Sequence, residues 1–273
     1  MTTTQKEKAE LFKALHEREG AFIIPNPWDA GSARLLAALG FEALATTSAG
    51  FANSLGRSDG HVTLEEVMEH CRGISAATEL PVSADLENCF ADDPEQAAET
   101  ILLGARAGLV GGSIEDYSGD SSNPIYDFAL AVERVHAAAE AARSLAFPFT
   151  LTARAENLLR GRHDLDDTIR RLQAFEAAGA DVLYAPGLAT LDEVRLVTGA
   201  VSNPVNVLAP MLKGATVAQL AEAGVRRISV GGALARAALT ALSRAGTEML
   251  AQGSFAWTSD LASTAELFKR AFN

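Results

Sequence analysis

Cysteine is nearly absent: Cys71 and Cys89 are the only two in 273 residues. They form no CxxC pair, and two thiols cannot build the disulfide framework of a small secreted domain. A reducing, cytoplasmic setting is the expectation. Excess positive charge is absent too, with 23 Lys and Arg against 35 Asp and Glu and a net charge of -12. No Lys/Arg run offers a footprint for nucleic acid or an anionic membrane. No apolar stretch reaches the roughly 20 residues that a membrane span needs. The opening segment, MTTTQKEKAELFKALHEREG, reads as a charged amphipathic helix without the apolar core of a signal peptide. No Gly/Ser/Pro-rich linker divides the chain, so residues 1–273 read as one domain. Lysine is scarce, and none falls in a candidate strand, since Lys213 lies after the seventh. That argues against a barrel aldolase using a Schiff-base lysine.

What the chain does have is alternation. Short β-rich runs occur at 21–26, 43–48, 82–87, 111–116, 150–155, 181–186, 205–209 and 227–232. Between them, apolar residues recur at helical spacing near 29–39, 63–79, 94–107, 126–145, 164–178, 190–200, 216–223 and 233–252. Gly40, Gly179 and Gly224 fall where helices end, the usual place for a left-handed cap. Eight β-α units over about 250 residues predict an α/β fold of the (β/α)8 TIM-barrel type, with a doubly wound sheet as the alternative. A further helix is predicted over 259–272. Its apolar face (Leu261, Leu267, Phe268, Phe272) must pack either on this barrel or on a neighbouring subunit.

In such barrels chemistry sits at the C-terminal ends of the strands. The second run ends in Thr46, Thr47 and Ser48, the third in Asp85 and Glu87, the fourth in Glu115 and Asp116, and the fifth carries Arg154 and Glu156. Asp59 follows the second run in SLGRSDG, and Gly231-Gly232 close the eighth. Side chains alternate faces along a strand, so Asp85 and Glu87 share a face, as do Arg154 and Glu156. Facing the barrel mouth, these carboxylates would repel one another, and a divalent cation relieves that. An all-oxygen set suits Mg²⁺, with Mn²⁺ possible. Bland readings stand beside this one. Asp116 alone fits a helix cap or a solvated charge, and Glu156 fits a structural ion pair with Arg154. The five histidines lack ligand spacing, Cys89 has no histidine beside it, and SVGGALARAAL fits either an anion site or a tight turn.

NPWDAGSARLLAALGFEALATTSAG, SLGRSDG, PVSADLE, SIEDY, TARAE and RISVGG together resemble the isocitrate lyase/phosphoenolpyruvate mutase superfamily, in order and spacing, over nearly the whole chain. The resemblance implies a Mg²⁺-dependent enzyme that holds a 2-oxo acid or its adduct. It implies cleavage of the neighbouring C–C bond through an enolate-type intermediate, in a homo-oligomer (dimer or tetramer) whose C-terminal helix swaps onto a neighbour. Asp85 then corresponds to the direct metal ligand, with Glu87, Glu115 and Asp59 as further acids of the metal site. Arg154 corresponds to the arginine that steadies the developing oxyanion. Thr47, Ser48 and Ala49 fall where the substrate carboxylate is gripped.

Two departures bear on the reaction. The superfamily's lyases carry a Lys-Lys/Arg-Cys-Gly-His loop after the fourth strand, whereas this chain has DYSGDSSNPIYDF, with no Cys, Lys or His. Asn123 matches an asparagine of the mutase-type members, but Ser121 stands near their lysine. YAPG (184–187) and LAPM (208–211) replace the residues that grip distal carboxylates, which predicts a smaller or less acidic partner group. P–C bond chemistry, as in phosphoenolpyruvate mutase or phosphonopyruvate hydrolase, and a non-catalytic oxo-acid-binding barrel remain the alternatives.

Overall fold

The computed structural model describes residues 3–272, apart from the side chains at 260 and 262. Eight strands alternate with helices. The strands are β1 (Phe22–Ile24), β2 (Leu44–Ala45), β3 (Val82–Ala84), β4 (Gly111–Glu115), β5 (Thr150–Arg154), β6 (Val182–Tyr184), β7 (Val205–Leu208) and β8 (Arg227–Ser229). Every pairing is parallel, and β1 pairs with β8, Phe22 opposite Arg227. A doubly wound sheet leaves its edge strands open, so this pairing settles the choice for the barrel. The seam between β1 and β2 is bridged by Ala45 N–H donating to Pro25 O (3.1 Å) and by Asn26 Nδ2 donating to Thr46 O (3.0 Å).

The first helix, α1 (Gln5–Glu17), starts at a capping box between Thr4 and Glu7. Its apolar face plugs the N-terminal end of the barrel, burying Ala9, Phe12 and Leu15 against Phe22, Ile24, Ala43 and Val110. Phe12 lies so close to β4 that a Cβ on Gly111 would sit 2.9 Å from its ring. The outer core lies between the strands and the helices around them. With α1 filling this end of the barrel interior, the strand-end side chains open onto the C-terminal end.

Two local features differ from the pattern read in sequence. β2 ends at Ala45, and Thr47 caps a short helix, α2′s successor in chain order: α2 spans Ala30–Leu39 and α3 spans Ser48–Ser54. At the C-terminal end, 259–272 is not one α-helix. Residues Ala256–Thr264 form a 3-10 segment, and only Ala265–Phe272 are α-helical. The hydroxyls of Thr258, Ser259 and Thr264 each donate to the carbonyl three residues earlier, which suits the tighter winding. The Ala265–Phe272 helix packs against α2 of its own chain.

Candidate active site

Strand register builds the site. Glu115 at the end of β4 sits opposite Arg154 at the end of β5, which sits opposite Tyr184 at the end of β6. Partners in a parallel register face the same way, so all three converge on the barrel mouth. Asp85 follows β3, where its N–H donates to Thr46 Oγ1 (3.0 Å). Arg154 organises the acids. Its Nη1 donates to Asp85 Oδ1 (2.7 Å), its Nη2 lies 3.0 Å from Glu115 Oε2, and Nε and Nη2 reach Glu156 Oε1 at 3.0 and 2.7 Å. Its guanidinium lies 5.2 Å from the Tyr184 ring centroid. Burial opposes the Arg154 charge, but Glu115, Glu156 and Asp85 outweigh burial and raise its pKa. Glu115, buried and beside Glu156 and Asp85, is held well above the ordinary carboxylate range in spite of Arg154.

Asp85 is gripped from the other side by Ser48, whose hydroxyl and N–H donate to Oδ2 at 3.0 and 3.3 Å. Glu87 lies two residues on in a left-handed conformation, φ +50°, and Cys89 and Phe90 share that region. Non-glycine residues adopt it only where their surroundings impose it. Here the buried Arg134 donates to the carbonyls of Asn88 and Ala91 and fixes the loop. The turn leaves Glu87 Oε1 buried with no hydrogen-bond partner. Burial first, then the charges of Asp85 and Asp59, push the Glu87 carboxyl up to about 7.

These residues line one cleft of about 930 Å³. It brings together Thr47, Ser48, Ala49, Asp59, Asp85, Glu87, Glu115 and Arg154. Asn123 is not brought in. It is exposed in a turn tied by Ser118 Oγ donating to the Asn123 carbonyl (2.7 Å), and Tyr117 and Gly119 are the residues of that loop that line the cleft. Among the described residues no lysine lines the cleft. Nor, among them, do three or more His, Cys, Asp or Glu side chains form a group arranged to hold a metal ion.

The bland readings sort themselves by partner. Asp116 is structural: its carboxylate accepts from Glu156 N–H (2.7 Å) and Arg171 Nη1 (3.1 Å). Burial pushes it up to about 6. Glu156 does pair with Arg154. Cys89 is a buried thiol pushed up to about 12 by burial. The glycine turn after β8 is held by Asn26, whose Oδ1 accepts from Val230 N–H and Gly231 N–H at 2.9 Å each, so those amides are already satisfied.

Four contributors escaped the sequence reading: Tyr184, Arg160, Tyr117 and Arg227. Arg160 stacks 3.5 Å above the Tyr117 ring and places Nη2 3.4 Å from Glu156 and 3.8 Å from Glu115. Strand alternation carries a signal for Arg227, since RIS puts Arg227 and Ser229 on one face of β8. Nothing local marks Arg160, which depends on a loop.

Fold and site define a (β/α)8 barrel with a carboxylate–arginine cluster at the C-terminal ends of β3, β4 and β5. The family model described as phosphoenolpyruvate phosphomutase matches residues 12–250, and the chain belongs to that family, within the isocitrate lyase/phosphoenolpyruvate mutase superfamily. A solved structure of a putative lyase/mutase from Burkholderia cenocepacia J2315 is 59% identical, with a TM-score of 0.91 over 93% of this chain and 92% of that one. The uncharacterized protein Rv1998c of Mycobacterium tuberculosis H37Rv is 33% identical over 81% of each chain. A 2-methylisocitrate lyase of Halalkalibacterium halodurans is 29% identical over 74% of this chain and 67% of its own.

Proposed function

We propose that the protein is a Mg²⁺-dependent carbon–carbon lyase acting on a 2-oxo acid or its adduct, with Mn²⁺ as a substitute ion. The observation that carries this reading is the convergence of Asp85, Glu115 and Glu156 on the single guanidinium of Arg154 at the barrel mouth. The metal's fit is supported by Glu87, whose buried, partnerless Oε1 beside Asp85 is an oxygen donor that a cation would satisfy. Mg²⁺ commonly takes one or two carboxylates and fills its remaining positions with water or substrate, so Asp85 and Glu87 would hold it, with Glu115 and Asp59 acting through water. Bound there, the ion would supply Lewis-acid polarisation of the oxo group.

This chain's own residues do the rest. The Arg154 guanidinium faces the oxygen on which negative charge develops and is held in place by three carboxylates, so it stabilises charge as that charge forms. Thr47, Ser48 and Ala49 line the wall where a substrate carboxylate would rest. Glu115, a buried carboxyl pushed up by burial and placed beside Arg154, is the group proposed to hand a proton to the carbon end of the broken bond. The 2-methylisocitrate lyase relative supports C–C chemistry, while the absence of Cys, Lys and His from 117–127 favours a smaller substrate such as oxaloacetate.

The test is a turnover screen of oxaloacetate, 2-methylisocitrate, isocitrate and phosphonopyruvate with Mg²⁺, monitoring pyruvate, glyoxylate and phosphate. The expected result is pyruvate formation that Asp85→Ala abolishes together with Mg²⁺ binding. Full activity in Asp85→Ala would sink the assignment. Phosphate from phosphonopyruvate would move it to P–C chemistry, and tight Mg²⁺-dependent oxalate binding with no turnover would make the barrel a binding protein.

The chain is read as one domain that assembles with copies of itself. Leu239, Leu242 and Leu250 in the long helix Ala233–Gln252 that follows β8 are exposed, as are Phe255, Leu261, Phe268 and Phe272 beyond it. Covering this apolar segment with a neighbouring subunit, by a swapped C-terminal helix, is the arrangement proposed, and sedimentation reads it directly. The two buried, unpaired thiols suit a reducing cytoplasm.

A further inference from the structure

Below the carboxylates the barrel interior is polar. Arg227 opens β8 and is 6% exposed. Its Nε donates to Asn206 Oδ1 and its Nη2 to Thr152 Oγ1, each at 2.9 Å. Both acceptors are neutral, and Nη1 has no partner. Arg154 by contrast meets three carboxylates and Arg171 meets Asp116 and Asp167, while the buried Arg134 donates to the backbone carbonyls of Asn88 and Ala91. Burial, with the charge of Arg154 adding to it, pulls the Arg227 guanidinium down to about 10, so it stays charged at neutral pH. A buried charge without a counter-charge is costly, and folded proteins rarely leave one uncompensated.

A second group faces the same space. Ser113 on β4 is opposite Thr152 on β5, the residue that accepts from Arg227, so the two side chains share a layer and a face. Ser113 is 7% exposed, and its hydroxyl also has no partner. Ser113 and Arg227 both line the cleft, Ser113 one inward position below Glu115 on β4 and Arg227 at the start of β8. Tyr184 stands over them. Its ring faces Arg154, and Ser229 Oγ beside it accepts from Asn206 Nδ2 (3.0 Å) and donates to Val207 O (3.2 Å). The upper cleft is rich in acids, whereas its floor holds an uncompensated cation.

We propose that this floor is an anion subsite, in which Arg227 Nη1 and Ser113 Oγ together take one small monovalent anion, a carboxylate group or a halide. The subsite stands independently of the metal reading, because neither residue touches Asp85 or Glu87.

The test uses the full chain. In crystals grown with sodium bromide, an anomalous peak is expected within hydrogen-bond distance of Arg227 Nη1 and Ser113 Oγ. In solution, melting temperature is expected to rise by several degrees with bromide over gluconate at equal ionic strength, since an anion bound only by the folded state stabilises it. Arg227→Gln should lose the rise, and Ser113→Ala should reduce it; if Arg227→Gln does not fold, Ser113→Ala decides. Adding oxaloacetate separates the two sources. Loss of the bromide peak assigns the subsite to a substrate carboxylate, and persistence assigns it to a halide. A floor occupied by water alone, with no anomalous peak and the same melting temperature in both salts, overturns the proposal.

Discussion

Arg154 Nη1 lies 2.7 Å from Asp85 Oδ1 across the width of β4, joining residues 69 positions apart in the chain. The same guanidinium holds Glu115 and Glu156. One side chain therefore keeps three buried or half-buried acids at close quarters. Arg154→Ala should leave Asp85 without an ion-pair partner and Glu115 and Glu156 with only the longer contacts to Arg160, and cost about 3–5 kcal/mol of stability, read by urea unfolding. Arg154→Lys supplies charge without the planar fork, so it should fold better than the alanine variant yet lose about 100- to 1,000-fold in turnover.

Glu87 makes stability fall as pH rises in the metal-free protein. Its carboxyl ionises near 4.5 in the unfolded chain and near 7 when folded. Between those values the folded state keeps a proton that the unfolded state has released. The contribution is complete below about 4.5 and gone above about 7. Glu115 and Asp116, also pushed up by burial, tilt the curve the same way. Melting curves from pH 4.5 to 8 should show the decline, Glu87→Gln should flatten part of it, and Mg²⁺ should raise the melting temperature more at pH 8 than at pH 5.

Phe12 seals the barrel end remote from the chemistry and is fully buried. Phe12→Ala should cost about 3–5 kcal/mol in chemical denaturation. Oxalate affinity of the folded variant, measured by calorimetry with Mg²⁺, should stay unchanged.

Asn26 joins three strand ends, donating to Thr46 O and accepting from the amides of Val230 and Gly231. Asn26→Ala strands one buried carbonyl and two part-buried amides, so its cost should reach at least the roughly 1–3 kcal/mol of one unsatisfied buried group. Hydrogen exchange should quicken at Gly231 before it quickens in the middle strands.

Local pattern carried most of the fold. The eight runs matched eight strands because each is buried between the barrel interior and the surrounding helices, which sets short β-rich runs apart from the longer stretches of helical spacing between them. Gly40, Gly179 and Gly224 do take positive φ at helix ends. The C-terminal segment was harder, because hydroxyl-to-carbonyl bonds chose 3-10 over α winding there. In the site, Asp85, Glu115 and Arg154 were legible from strand-end position. Arg160 was not, because a loop brings it over Tyr117.

By itself the sequence determined the β-α alternation and the strand ends at which its acids and Arg154 would meet, while the β1–β8 pairing closed the barrel. Alternation and strand ends follow from periodicity and from residue type, which act over a few neighbouring positions. Only the tertiary structure decided which charge answers which. Arg154 faces three acids and Arg227 faces none, although both are arginines on strands of the same barrel. The difference lies in depth along the barrel axis and in partners drawn from distant strands, and no local window of the chain contains either.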